Sequence, residues 1–138
     1  QSLGKLFNKK INIHLKIDTG LSRLGFLPKD AHVALDTIKH LPNLHLQGIW
    51  SHCIESFNQE LVQEQEEILK QFWQPNVQTH IANSNSCLLT KYTYDFARIG
   101  AGIYGYLPEA DPKMQQMLHP IISFKTKIIN LKEVPAGC

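Results

Sequence analysis

The chain predicts an α/β fold: about the second half of a (β/α)8 TIM-type barrel, followed by the start of a C-terminal β-domain. Three observations lead there. Strand-period and helix-period segments alternate through the first three quarters of the 138 residues. Polar residues gather at the C-terminal end of each expected strand. After Pro120 the pattern turns β-rich with no helix behind it. A complete barrel needs roughly 250 residues, so four strand–helix units make about half of one. The expected division is residues 1–117 for the barrel part and 118–138 for the β-domain.

Residues 12–18 (NIHLKID) alternate Ile13, Leu15 and Ile17 with His14, Lys16 and Asp18, which is strand period. After the turn at Thr19-Gly20, residues 28–41 read as a helix. Pro28 suits its first turn, and Val33, Leu35, Ile38 and Leu41 form the apolar stripe. Pro42-Asn43 ends it. Residues 46–52 (LQGIWSH) form the second strand. Residues 57–73 form a long helix with Leu61, Ile68, Leu69 and Phe72 inward and a Gln/Glu-rich face in solvent. A third strand at 77–82, a short helix at 84–90 and a fourth strand at 96–104 complete the series, and residues 121–134 carry the β-rich pattern.

Charge excludes several classes. Fourteen basic residues against twelve acidic ones leave no electrostatic footprint for nucleic acid and no basic membrane helix. The apolar runs are far too short to span a bilayer, and no signal peptide is visible. Cys53, Cys87 and Cys138 are odd in number and widely spaced, matching neither a disulfide framework nor a zinc site. No metal is expected, and a reducing cytoplasm is the expected compartment. The start at Gln1 and the stop after Pro135-Ala136-Gly137 suggest a piece of a longer chain.

The strand ends carry Lys16 and Asp18, Ser51 and His52, Asn83 and Ser84, then Arg98 and Gly100. Barrels build their sites at this end. Short polar residues also begin ordinary loops, and singly each fits that plainer role. Four ends in succession, two of them with His or Arg, favour a site.

Three segments resemble alanine racemases. They are H-L-K-I-D-T-G-L-S-R-L-G-F at 14–26, H-I-A-N-S at 80–84, and R-I-G-A-G-I-Y-G at 98–105. G-I-W-S-H at 48–52 and the stretch from Pro120 fit the same family in the same order. K-x-D-T-G-x-x-R-x-G is the most specific element, and Ser51-His52 is weak alone. Leu21 stands where the family commonly has methionine. Cys53-Ile54-Glu55-Ser56 replaces its usual small apolar and acidic residues after the histidine.

The resemblance implies pyridoxal 5'-phosphate as cofactor, alanine as substrate and a homodimer for the intact protein. The implied reaction removes the α-proton of an external aldimine with one base and returns it from another. Both family bases, a lysine and a tyrosine, correspond to positions outside these residues, so the piece alone is expected to be inactive. Arg98 corresponds to the arginine facing the pyridine nitrogen, where a fixed cation keeps that nitrogen unprotonated. His80 corresponds to the histidine that holds this arginine. Ser84, Gly100 and Ala101 correspond to a phosphate cup, with Ser84 also placed to cap a helix. Arg23 corresponds to the arginine near the substrate carboxylate. Lys16 corresponds to a lysine that some members carbamylate to orient that arginine. His52 corresponds to a partner of the catalytic tyrosine, and Asp18 to a turn-shaping residue. Rival readings are a broader amino-acid or serine racemase, a non-catalytic pyridoxal-phosphate-binding homeostasis protein, and an inactive split-gene product.

Overall fold

A computed structural model describes residues 2–6, 9–107 and 112–137. Cys138 therefore lies outside the described residues, while Cys53 and Cys87 are free thiols. Strands β1 (Ile11–Lys16), β2 (Leu44–Trp50) and β3 (Gln78–His80) pair in parallel in that order. Helix α1 (Ser2–Leu6) precedes them, α2 (Pro28–Lys39) and α3 (Gln59–Lys70) connect them, and α4 (Pro112–Gln116) follows. Three of the four expected strands form among the described residues.

Alternation divides the sheet. Leu15, Ile17, Ile49 and Ile81 pack with Ala31, Leu35, Val62, Leu69 and Phe72 of the helical layer into one core. Ile17, Ile49, Val62, Leu69 and Ile81 are wholly buried. Helix α2 begins with Pro28, whose fixed φ suits that place, and carries Asp30 in its first turn, where the helix dipole favours an anion. Its buried residues are Ala31, Ala34 and Leu35, whereas Val33 is 69% exposed. The helical period explains the difference, since position 33 points away from a face running 31, 34, 35 and 38.

Helix α3 starts at Asn58, whose side chain accepts from the Leu61 N–H at 3.2 Å. The expected solvated Gln/Glu face on α3 holds for Gln59, Glu60, Glu64 and Glu67 but not for Gln65 and Glu66. Gln65 and Glu66 are buried beside Val62 and Leu69, while Leu61 and Ile68 are only half-buried. Polar residues occupy that face because loop backbone groups meet them there. Both Glu66 oxygens accept the Lys91 N–H, at 3.1 and 2.9 Å.

The fourth strand is a second correction. Around Arg98 the chain makes one parallel bridge, Asn83↔Arg98, then coils into a 3-10 turn at Ala101–Tyr104. Its amides are diverted from a ladder: Gly100 N–H and Gly102 N–H both go to the Ser84 hydroxyl. Gly105, at φ +74°, turns the backbone so closely on His119 that a Cβ would lie 2.2 Å from the carbonyl oxygen. The helix expected at 84–90 is a single 3-10 turn, Ser86–Leu88. Residues 121–134 form no strand, and Phe124, Ile129 and Leu131 are exposed. A lone apolar segment gains nothing from strand geometry without a second strand to pair with.

Candidate active site

Register brings the site residues into line. Lys16, Trp50 and His80 pair side by side at the C-terminal ends of the three strands, on the face turned away from the core. The indole of Trp50 is the platform. His80 stacks on it with ring centroids 5.5 Å apart and planes 12° off parallel. The Lys16 Nζ lies 5.0 Å from its centroid and the Arg98 Cζ 4.5 Å, within reach of cation–π attraction.

Arg98 is fixed from several sides. Its Nη1 donates to His80 Nδ1, and its Nη2 donates to the Ser51 carbonyl at 2.7 Å and to His52 Nδ1 at 3.2 Å. A guanidinium only donates, so both Nδ1 atoms must be acceptors. His80 then carries its proton on Nε2 and donates it to His14 Nδ1 at 2.9 Å. Room for His14 comes from a bulge in β2, where His14 pairs with Gly48 after Ile13 pairs with Leu46. A Cβ on Gly48 would run into the His14 ring, so a larger residue there would displace that ring.

Electrostatics follow from this packing. Burial, then the Arg98 charge and His14, push the His80 pKa down to about 4 from 6.5. Burial and the charges of Arg98, Arg23 and Lys16 lower that of His52. Burial and the neighbouring Arg23 also lower that of Lys16, outweighing Asp18. The folded protein thus refuses a proton that unfolded His80 accepts. Stability should fall as pH drops from about 6.5 towards about 4. Urea unfolding across that window checks this, and His80→Asn should flatten the slope.

The turn after β1 is organised by Asp18, which accepts from the N–H groups of Gly20 and Ser22 at 3.0 Å and of Arg23 at 3.2 Å. Burial works against the carboxylate, but these three amides outweigh it and hold its pKa down. At Gly25, φ +121°, a Cβ would lie 2.9 Å from Asp18 N, and Phe26 returns to bridge Ile17. Asp18 and Gly25 therefore bend the loop, and its exposed Arg23 is near enough for its charge to act on Lys16 and His52.

Ser84, Gly100 and Gly102 form a second cluster. The serine oxygen accepts from Gly100 N–H at 2.8 Å and Gly102 N–H at 3.2 Å, with Ala101 between them. Capping of the following turn falls to Asn83, not Ser84. The Asn83 Oδ1 accepts from the Asn85 and Ser86 amides, each at 3.0 Å. Sequence reasoning missed Trp50, His14 and Gln65. Strand register could have found Trp50, since it sits between Lys16 and His80. No group of three or more metal-ligating side chains occurs among the described residues, and no helix there is long and apolar enough to cross a membrane.

Comparison with known proteins identifies the family. Residues 2–108 match the family described as "Alanine racemase, N-terminal domain". The chain is 36% identical over 134 residues to an alanine racemase of Methylacidiphilum infernorum, covering 94% of this chain and 34% of that protein. It is also 36% identical over 138 residues to "Alanine racemase 2" of Caldanaerobacter subterraneus, covering 92% and 36%. The fold matches an alanine racemase of Clostridium difficile with a TM-score of 0.74 at 24% identity, over 86% of this chain and 34% of that one. A histidine racemase of Leuconostoc mesenteroides matches with a TM-score of 0.61 at 27% identity, over 70% and 28%. The chain thus spans about one third of the length of these relatives. With the family match running through most of its residues and two relatives at 36% identity, the chain belongs to the alanine racemase family.

Proposed function

We propose that these residues form the cofactor-holding and carboxylate-holding part of an alanine racemase that interconverts L- and D-alanine with pyridoxal phosphate. One observation carries the reading: a guanidinium locked by His80, Ser51 and His52, sharing the Trp50 ring with Lys16. Pyridoxal phosphate, when bound, supplies the electron sink that makes the α-proton of alanine removable. The donor set fits such a group. Ser84, Gly100 and Ala101 are the phosphate cup in this reading: the serine oxygen gathers the Gly100 and Gly102 amides on either side of Ala101, donors that a bound phosphate would take over. Gly100 has only the Ser84 hydroxyl near its missing Cβ, at 4.0 Å, so an anion can approach the backbone.

Each residue then has a task. Arg98 holds a permanent positive charge where a protonated ring nitrogen would be repelled. His80 stays neutral and keeps that charge aimed. Arg23 offers a planar fork to the substrate carboxylate. Lys16, its pKa lowered by burial and Arg23, has an enlarged neutral fraction, the form that carbamylation needs. His52 steadies a tyrosine supplied from elsewhere in the assembly, which implies a homodimer. The two proton-transferring bases lie outside these residues. The intact enzyme works in the cytoplasm, where its D-alanine feeds peptidoglycan synthesis.

In the intact protein, Arg23→Ala should lose one charge-assisted contact, about 1.5–3 kcal/mol of kcat/KM in both directions. Steady-state kinetics with L- and D-alanine test it, and unchanged values would remove Arg23 from the substrate site. The similarity to a histidine racemase favours one second reading, a broader amino-acid racemase. A substrate panel on the intact protein separates the two: turnover confined to alanine supports the first.

A further inference from the structure

We infer that Gln65 is a positioning residue: from within the core it holds the Ser51–Ile54 backbone and the Thr19 turn, and through them aims His52 and Arg98. The inference rests on the proposed function for the meaning of the site, while its geometry stands apart from it. Gln65 is 3% exposed, and its amide is used at both ends. Its Nε2 donates to Thr19 Oγ1 at 2.9 Å and to the His52 carbonyl at 3.2 Å. Its Oε1 accepts from the Ile54 N–H at 2.9 Å.

Donor logic gives the arrangement a direction. Because Gln65 donates to Thr19, the Thr19 hydroxyl is free to donate its own hydrogen to Ser51 Oγ, 2.7 Å away. Ser51 is 1% exposed, and its carbonyl is the acceptor that takes Arg98 Nη2. One side chain on α3 therefore ties the turn that carries Asp18 and Arg23 to the strand end that carries Ser51 and His52. Burying an amide costs free energy unless all its hydrogen bonds are made, and here three are. A helix whose only duty was packing would fill this place with leucine. The hold on Ile54 also explains how the unusual Cys53-Ile54-Glu55-Ser56 segment keeps His52 in place: its first exposed residue is pinned by its amide.

His52 reports the consequence. It is faced by Lys16 from β1, Arg23 from the turn and Arg98 from beyond β3. Released from Gln65, its backbone moves away from those cations and its titration midpoint rises. The experiment is a pH titration of histidine Cε1–H resonances in the full-length protein without cofactor, with His52 assigned by His52→Gln. Gln65→Met keeps the volume and removes the three bonds. Thr19→Val cuts the relay to Ser51 from the other end, without disturbing the helix. Val62→Ala, on the same buried face, is a packing control.

Gln65→Met and Thr19→Val should each raise the His52 midpoint by about half a pH unit or more, and Val62→Ala should leave it in place. In the cofactor-loaded enzyme the first two should lower kcat/KM about 10-fold. Unmoved midpoints in both, or an equal rise in Val62→Ala, would overturn the inference. Because the titration is read without cofactor, a parent protein that fails to racemise alanine removes the proposed function while the midpoints still decide Gln65.

Discussion

Arg98→Glu in the intact protein is expected to lower alanine racemisation by about 100-fold or more, the scale of removing a preorganised electrostatic contact. The geometry dictates the size. A carboxylate there would face the carbonyl oxygens of Ser51 and Ile81, which now accept from Arg98 at 2.7 and 3.4 Å. Two lone pairs, His80 Nδ1 and His52 Nδ1, would also lose their donor. On the proposed placement of Arg98, a negative group there would favour protonation of a bound cofactor's ring nitrogen and with it transamination. Pyruvate formed per racemisation event should therefore rise. Arg98→Lys keeps the charge without the fork, so it should lose rate without gaining pyruvate. Chiral product analysis with a coupled pyruvate assay measures both, and an unchanged rate and pyruvate ratio in Arg98→Glu would remove Arg98 from the cofactor site.

The largest effect on stability is expected at Glu66. Its carboxylate is 0% exposed and accepts the Lys91 N–H with both oxygens and the Tyr92 N–H at 3.4 Å. Glu66→Leu fills the volume but strands both amides, each costing about 1–3 kcal/mol when buried and unpaired. A loss of about 3 kcal/mol should appear in urea unfolding, with an unchanged slope if the native packing survives. Glu66→Gln keeps one acceptor oxygen and should lose less. An exposed salt bridge offers the contrast: Lys91 with Glu67, at 2.9 Å on the surface, is worth little.

The alternating segments were legible because period follows burial. Ile13, Leu15 and Ile17 face one way and His14, Lys16 and Asp18 the other, so strand β1 could be placed within a residue or two. Aspartate carried the turn after β1: Asp18 shapes it, as expected, by accepting the Gly20, Ser22 and Arg23 amides. What pattern could not reveal was which polar residues turn inward. Gln65 and Glu66 read as solvated because a helix rich in Gln and Glu usually is. Their burial depends on amides at Ile54 and Lys91, distant in sequence and brought near only by the fold. The strand expected at 96–104 failed for a related reason, since its amides found Ser84 in place of a neighbouring strand. The apolar run at 121–134 shows the reverse case, a strand pattern with nothing described to pair with.

The most direct test is a racemisation assay with pyridoxal phosphate and D-alanine, run in parallel on the intact protein and on these 138 residues alone. The intact protein should form L-alanine far above the free-cofactor background. The 138 residues should not, and borohydride should trap no adduct on a defined lysine, because Lys16 shares the Trp50 ring with Arg98, Lys91 pairs with Glu67 on a surface loop, and the other lysines lie on termini, on helix faces or in the segment after Pro120. Turnover or a defined trapped lysine in the short chain, or an intact protein that leaves D-alanine unchanged, would contradict the account.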